Sequence, residues 1–403
     1  MRTKHLIPLG VAWLLSTLNA QLSTALAQGS LTPSGAPAPT MKSLNQIEPR
    51  IPISASTTPG DSSDSFIITN SGSYYLTTNF VGTSAKNGIR IAADSVTIDL
   101  NGFDLNGAGL GGLGIRIITS IHRQNIVIRN GTVRNWTSSG MDLSFGKNTL
   151  LEKIVATGNG GYGIVTGENG IVRNCLAYTN ANSGSFLAGI VVSQGSVVEN
   201  CAADFNGNNN ANCFGISAGA GCIVSHCSAS QNNGPNGVGI SAGPYATVTD
   251  CTVALIGGTN GAGISVGNGC SVIHCTASGN TGSGTVGILA TERALIESCV
   301  AVNNGADGIL ASNNCSLVSN TCGNNGGAGI HTTGQRNRVD SNTVTFNSGG
   351  GIRVDSNLNL VVRNCVSGNS INNYIIAAGN NDAERLGGGT AFTSTDPWAN
   401  FSF

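Results

Sequence analysis

From residue 86 onward the apolar residues follow neither helical spacing nor long strand alternation. A small residue, usually Gly, precedes an Ile or a similar side chain at Ile89, Ile115, Met141, Ile164, Ile190, Ile216, Ile240, Ile264, Ile288, Ile309, Ile330 and Ile352, with Ile375 as a weaker thirteenth member. The gaps run from 21 to 26 residues, the period of a solenoid in which each turn is one structural repeat. A second column keeps step: Asn130, Ile154, Cys175, Cys201, Cys227, Cys251, Cys275, Cys299, Asn320, Asn342 and Cys365. A third follows five residues later, from Asn135 through Asn159, Asn180, Asn206 and Asn232 to Asn280, Asn304, Asn325 and Asn347, broken at Ile256 and ending at Ser370.

Around the second column the pattern is small-x-Val/Ile-x-x-Cys-x-Ala/Val, as in Cys222 to Ala229, which sets alternate residues on one face of short strands. The Gly-Ile step opens another strand, with Ile264 and Val266 pointing inward. The turns of each coil need Asn or Gly at positive φ, stacked Asn amides bond from coil to coil, and the third column is expected to supply both. The expectation is an all-β parallel β-helix of about 13 coils. A leucine-rich repeat overlaps in period but needs helix-forming returns, and Gln231 to Gly237 (Gln-Asn-Asn-Gly-Pro-Asn-Gly) is a poor one.

Residues 1–27 carry Arg2, Lys4 and His5, an apolar run and the small-x-small end Ala25-Leu26-Ala27, the pattern of a secretory signal peptide. Residues 28–43 are expected to be a disordered leader, 44–85 an N-terminal cap, 86–375 the β-helix and 376–403 a C-terminal cap, because open solenoid ends expose unpaired strand edges. The protein is therefore expected to be secreted or periplasmic, and no later run is long enough to make it an integral membrane protein.

The stretch Gly72-Ser73-Tyr74-Tyr75-Leu76, then Asn87-Gly88-Ile89 and Val96 to Phe103 (Val-Thr-Ile-Asp-Leu-Asn-Gly-Phe), resembles the opening coils of secreted right-handed parallel β-helix proteins of the pectin-lyase-like superfamily. The resemblance covers about residues 65 to 375, and right-handedness is implied by it alone. The superfamily holds polysaccharide lyases, hydrolases, epimerases, tailspikes and proteins without known activity, so it implies polysaccharide as a partner without choosing a reaction.

Composition narrows this further. The 403 residues include 58 Gly and only 39 charged side chains, 19 Lys+Arg against 20 Asp+Glu, which excludes a broad basic face for nucleic acid. The 12 Cys fall mostly in one column, seven of them by this count, and read as small buried hydrophobes, with disulfides between coils as the other possibility. No cofactor and no metal site is expected; Cys222 and Cys227 do not form a paired ligand set.

Two groups of residues are candidates for a site. His226, Asp250 and His274 precede the Cys column on three consecutive coils and form the catalytic candidate, an acid/base or metal line. Residues 86–153 hold eight Lys+Arg against five Asp+Glu, and there Arg90, Arg116, His122 and Arg123 are the candidate substrate-binding residues for an acidic sugar. The Asp-Pro-His-Asp motif of mannuronan epimerases and the paired Asp groups of polygalacturonases are not found. The reading is thus an exported module that contacts a polysaccharide or cell-surface glycan, with a polysaccharide lyase or epimerase as the alternative; oligomeric state is not legible.

Overall fold

The computed structural model describes residues 48–403 except 119, 181–185, 208–211 and 388–393. The expected signal peptide and leader, and the first residues of the expected N-terminal cap, lie outside the described residues.

Each full coil has three short strands, shown by Val238–Ala242, Thr247–Thr249 and Thr252–Ala254. The first strands of successive coils build one sheet of 14 parallel strands, and the second and third strands pair parallel in the same way. No helix occurs among the described residues, hence none long and apolar enough to cross a membrane. The Gly-Ile residues stack in register from Ile89 against Ile115 to Ile330 against Ile352. The stack extends one coil earlier, to Phe66 against Ile89, which is why the sheet holds one strand more than the periodicity predicts. At the far end Ile352 meets Tyr374, so the last member is Tyr374 and not Ile375. At roughly 4.8 Å per coil the axis runs about 60 Å.

Every coil turns through residues with φ near +55°. Ser225–His226–Cys227 shows how: His226 has φ 52°, turns the chain outward, and leaves the next side chain, Cys227, pointing in. In the coil above, Tyr245, Asp250 and Leu255 occupy three such corners with φ of 61°, 53° and 57°. Corner residue and inward neighbour are thus distinct columns. The expectation that one Asn column supplies both positive φ and the ladder is corrected here, because the buried Asn residues follow the corners. Thr179 and Phe205 take the left-handed conformation, whereas Asn180 and Asn206 are 0% exposed behind them.

Those buried amides are fully used. Asn180 Nδ2 donates to Asn206 Oδ1 at 3.1 Å and to Ala156 O at 2.8 Å, and the Asn180 backbone N–H shares the same Oδ1 at 3.1 Å. The ladder runs from Asn159 to Asn232, breaks at Ile256, and resumes from Asn280 to Asn369. Asn369 therefore takes the place expected for Ser370. At the front Trp136, not Asn135, shares the column, its backbone N–H donating to Asn159 Oδ1 at 3.1 Å. The Trp136 ring is 1% exposed and leaves room only for glycine around it: a Cβ on Gly111 would lie 2.4 Å from Cζ3.

The Cys column is inward as expected. Cys175, Cys201, Cys227, Cys251, Cys275 and Cys299 are 1 to 3% exposed, and all 12 cysteines of the chain are unpaired. The column contains six of them and not seven. Thr343 pairs with Cys365, so Asn364 carries the column beyond Asn342, and the ladder Asn320, Asn342, Asn364, Asn400 continues it. At the other end the in-register residue is Gly131 and not Asn130. Each thiol donates to main-chain carbonyls, Cys227 to Ser225 O at 3.1 Å and Val198 O at 3.6 Å. Burial pushes the Cys213 thiol, elsewhere in the core, up to about 12.

Candidate functional site

The corner between second and third strands carries Lys153, Asn174, Asn200, His226, Asp250, His274 and Ser298 on consecutive coils, all with φ of 51° to 54°. Left-handed backbone selects against β-branched side chains and tolerates Asn, Asp and His, and it aims each side chain outward. The result is a trough with one hydrogen-bonding side chain per coil. Asn174, Asn200, His226 and Asp250 line a groove of about 690 Å³, with Leu176, Ala202, Ser228 and Thr252 of the third strands along one wall.

The structure thus brings His226, Asp250 and His274 together as a line. His226 Nε2 lies 3.9 Å from Asp250 Oδ2 and His274 Nδ1 3.7 Å from Asp250 Oδ1, contacts too long for hydrogen bonds. The three side chains are 59%, 43% and 62% exposed, and Asp250 Oδ2 also accepts the Thr249 hydroxyl at 2.9 Å. Such a line presents donors and acceptors to a ligand but does not hold an imidazole in one orientation. Among the described residues no three His, Cys, Asp or Glu side chains converge as a metal site.

The second candidate group lies on the first-strand sheet of the early coils. Arg90 and Arg116 stand side by side in register. Both turn to Asp64, which is 0% exposed: Arg116 Nε and Nη2 lie 2.7 and 2.8 Å from its two oxygens, and Arg90 Nη1 is 3.1 Å from Asp64 and from Asp61. Bidentate pairing to Asp64 holds the Arg116 guanidinium above its usual range. A carboxylate of the chain itself therefore occupies the anion cradle. Arg123 shares a small cavity of about 130 Å³ with Arg90, while His122 stands apart, its ring 5.5 Å from that of Phe145 in a separate groove with Lys147 and Glu168.

One network was missed from the sequence. His331 Nδ1 bonds Asp307 Oδ2 at 2.8 Å, His331 Nε2 bonds Asp355 Oδ2 at 2.9 Å, and Arg353 Nε donates to Asp355 Oδ1 at 2.7 Å. Burial works against a charged ring at His331, but the two carboxylates more than offset it and raise its pKa. The signal was present, since His331 and Arg353 follow the Gly-Ile step as Arg90 and Arg116 do. With both ring nitrogens and both charges matched, the network is a closed clamp over three coils. Arg338 and Arg363 close a similar one on Asp340, which is 0% exposed; burial opposes its charge, but Arg363, Ser341 and Arg338 hold its carboxyl down at about 2.

Residues 188–338 and 236–387 match the family profile described as right handed beta helix region. No curated protein matches the chain in sequence. Among solved structures it is similar to the Azotobacter vinelandii mannuronan C-5 epimerase AlgE4 A-module, at 15% identity and TM-score 0.46, over 72% of this chain and 91% of that one. It is also similar to the periplasmic alginate epimerase AlgG, at 12% identity and TM-score 0.46, over 79% and 81%. The Dettilon tailspike protein gives 14% identity and TM-score 0.38 over 82% and 61%. Nothing about this chain's chemistry follows from likenesses of that size. The profile match spans the later coils, and the same register of strands, corners and inward columns runs through the coils ahead of it. The described coils thus form a parallel β-helix, and residues 188–387 match the right-handed β-helix repeat that the resemblance to the pectin-lyase-like superfamily implied.

Proposed function

We propose that this protein is a glycan-binding module, exported by its N-terminal segment, whose second-corner groove takes an extended polysaccharide chain without cleaving it. The observation that carries the reading is the run Asn174, Asn200, His226, Asp250 and His274, one outward hydrogen-bonding side chain on each of five consecutive coils. Their spacing of about 4.8 Å is commensurate with the repeat of an extended pyranose polymer, so successive sugar units meet successive coils. Sugars are dense in hydroxyls that both donate and accept, which suits a mixture of Asn, His and Asp. A lyase acting on the basic coils has weaker support, because Asp64 already engages Arg90 and Arg116.

Affinity electrophoresis against soluble polysaccharides tests the proposal. The variant Asn174→Gly/Asn200→Gly/His226→Gly keeps residues suited to positive φ and removes the polar floor. Wild type should be retarded by at least one polymer and the variant should not. Equal retardation of both would overturn the reading.

A further inference from the structure

The groove opens sideways onto an aromatic pair. Leu176 and Ala202 line its wall, and two residues along the same strands stand Tyr178 and Asp204, paired with each other in register. Alternate strand residues share a face, so these four side chains form one continuous outward surface. Phe205 then turns the third corner at φ 54°, and its ring meets the Tyr178 ring edge-on, with centroids 5.4 Å apart and planes inclined by 66°. Tyr178 is 39% exposed and Phe205 46%.

Other bulky corner residues have a covering role. Tyr245, Leu255 and Phe346 lie over corner glycines of the next coil, where a Cβ on Gly269, Gly279 or Gly368 would come within 2.9, 3.3 or 2.7 Å of them. Phe205 is followed on the next coil by Gln231, also at positive φ, so that explanation does not reach it. Beside the rings, Asp204 Oδ1 accepts the Ser230 backbone N–H at 2.9 Å, while Oδ2 has no hydrogen-bond partner among the described residues. Two Lys+Arg stand against seven Asp+Glu between residues 154 and 335, and Arg173 is paired with Glu152. That field disfavours a polyanion.

We infer that Tyr178, Phe205 and Asp204 form a stacking subsite for an uncharged pyranose, which directs the protein to neutral polysaccharides over polyuronates. An aromatic face attracts the C–H face of a sugar ring through its negative quadrupole, and a carboxylate accepts sugar hydroxyls strongly while repelling a uronate. The inference rests on the groove reading for the path of the polymer and is separable from it by experiment.

Titration calorimetry of the full chain with hydroxyethylcellulose, dextran and galactomannan, beside alginate and polygalacturonate, provides the test. At least one neutral polymer should bind roughly tenfold more tightly than either polyuronate, and raising the salt should leave that affinity unchanged. Tyr178→Thr and Phe205→Asn, which suit a strand and a left-handed corner, should each weaken it roughly tenfold at unchanged melting temperature. If both variants bind as wild type while the groove variant is lost, the subsite is wrong and the groove reading stands. Loss in the aromatic variants alone leaves the subsite standing and removes the groove. Tighter binding of polyuronates, or no binding of any neutral polymer, overturns the inference.

Discussion

Asn304 donates its side-chain amide to Asn325 Oδ1, 2.9 Å away on the next coil, and the same oxygen takes the Asn304 backbone N–H at 3.0 Å. The Asn325 amide in turn donates to Ala301 O at 2.9 Å. Replacing Asn325 by Leu leaves two donors and one carbonyl buried without partners, an expected loss of about 2–4 kcal/mol. Urea unfolding at unchanged m would report it as a lowered midpoint.

The Cys-to-Asn exchange in the second column gives a sharper test. Cys299 lies next to Asn320, whose Oδ1 already accepts the Cys299 backbone N–H at 2.9 Å. In Cys299→Asn the new amide joins that ladder, and Val272 O, which the thiol now approaches at 3.4 Å, takes its second proton. Stability should change by less than about 1 kcal/mol. Cys227→Asn places the same amide between Cys201 and Cys251, where no oxygen waits on the next coil, and should cost about 1–3 kcal/mol. Equal unfolding midpoints for the two variants would contradict the register.

All 12 thiols should react in the denatured, non-reduced protein, and those of the column should be slow in the native one. A titration with an aromatic disulfide reagent that finds fewer than 12 free thiols after denaturation would show that coils are cross-linked.

Stability should depend on pH through His331. Its pKa is raised in the folded state, so the clamp contributes fully below the unfolded value and is lost as pH rises through the folded one. Asp355 has the opposite sign: its hydrogen bond from Arg353, together with His331, lowers its pKa, so its share is lost as pH falls below the ordinary carboxylate range. The stability difference between wild type and His331→Gln should therefore be largest between the ordinary carboxylate pKa and that of an unperturbed histidine, and should shrink on the alkaline side. Melting temperatures of both proteins from acid to alkaline pH read this directly.

Arg116 supports the fold before it supports any ligand. Arg116→Ala leaves the buried Asp64 with only Arg90 and Asn87, an expected loss of about 3 kcal/mol in stability. Binding of acidic polymers by the folded fraction should not change.

The repeat columns were legible because inward strand positions tolerate few side chains, and Ile216, Ile240 and Ile264 occupy theirs without exception. Register slipped where coils change length and neighbouring residues share chemistry: Cys365 beside Asn364, Ile375 beside Tyr374, Asn130 beside Gly131. Corner and ladder were confused because Asn suits both a left-handed backbone and a buried amide stack. The engagement of Arg116 was hidden because Asp64 lies 52 residues earlier, ahead of the clear repeat. His226, Asp250 and His274 were placed correctly as neighbours, since column position alone determines that; the aromatic pair beside their groove was not singled out, because Tyr178 and Phe205 occupy different columns.

On the proposed reading the groove meets a polysaccharide coil by coil. Affinity should therefore be measured for a size series of oligosaccharides cut from the polymer that binds best. Affinity should rise with each added sugar until the oligomer spans Asn174 to His274 and then level off, and Asn200→Gly should flatten the rise at its own coil. An affinity independent of length, or a rise that Asn200→Gly leaves intact, would contradict that reading.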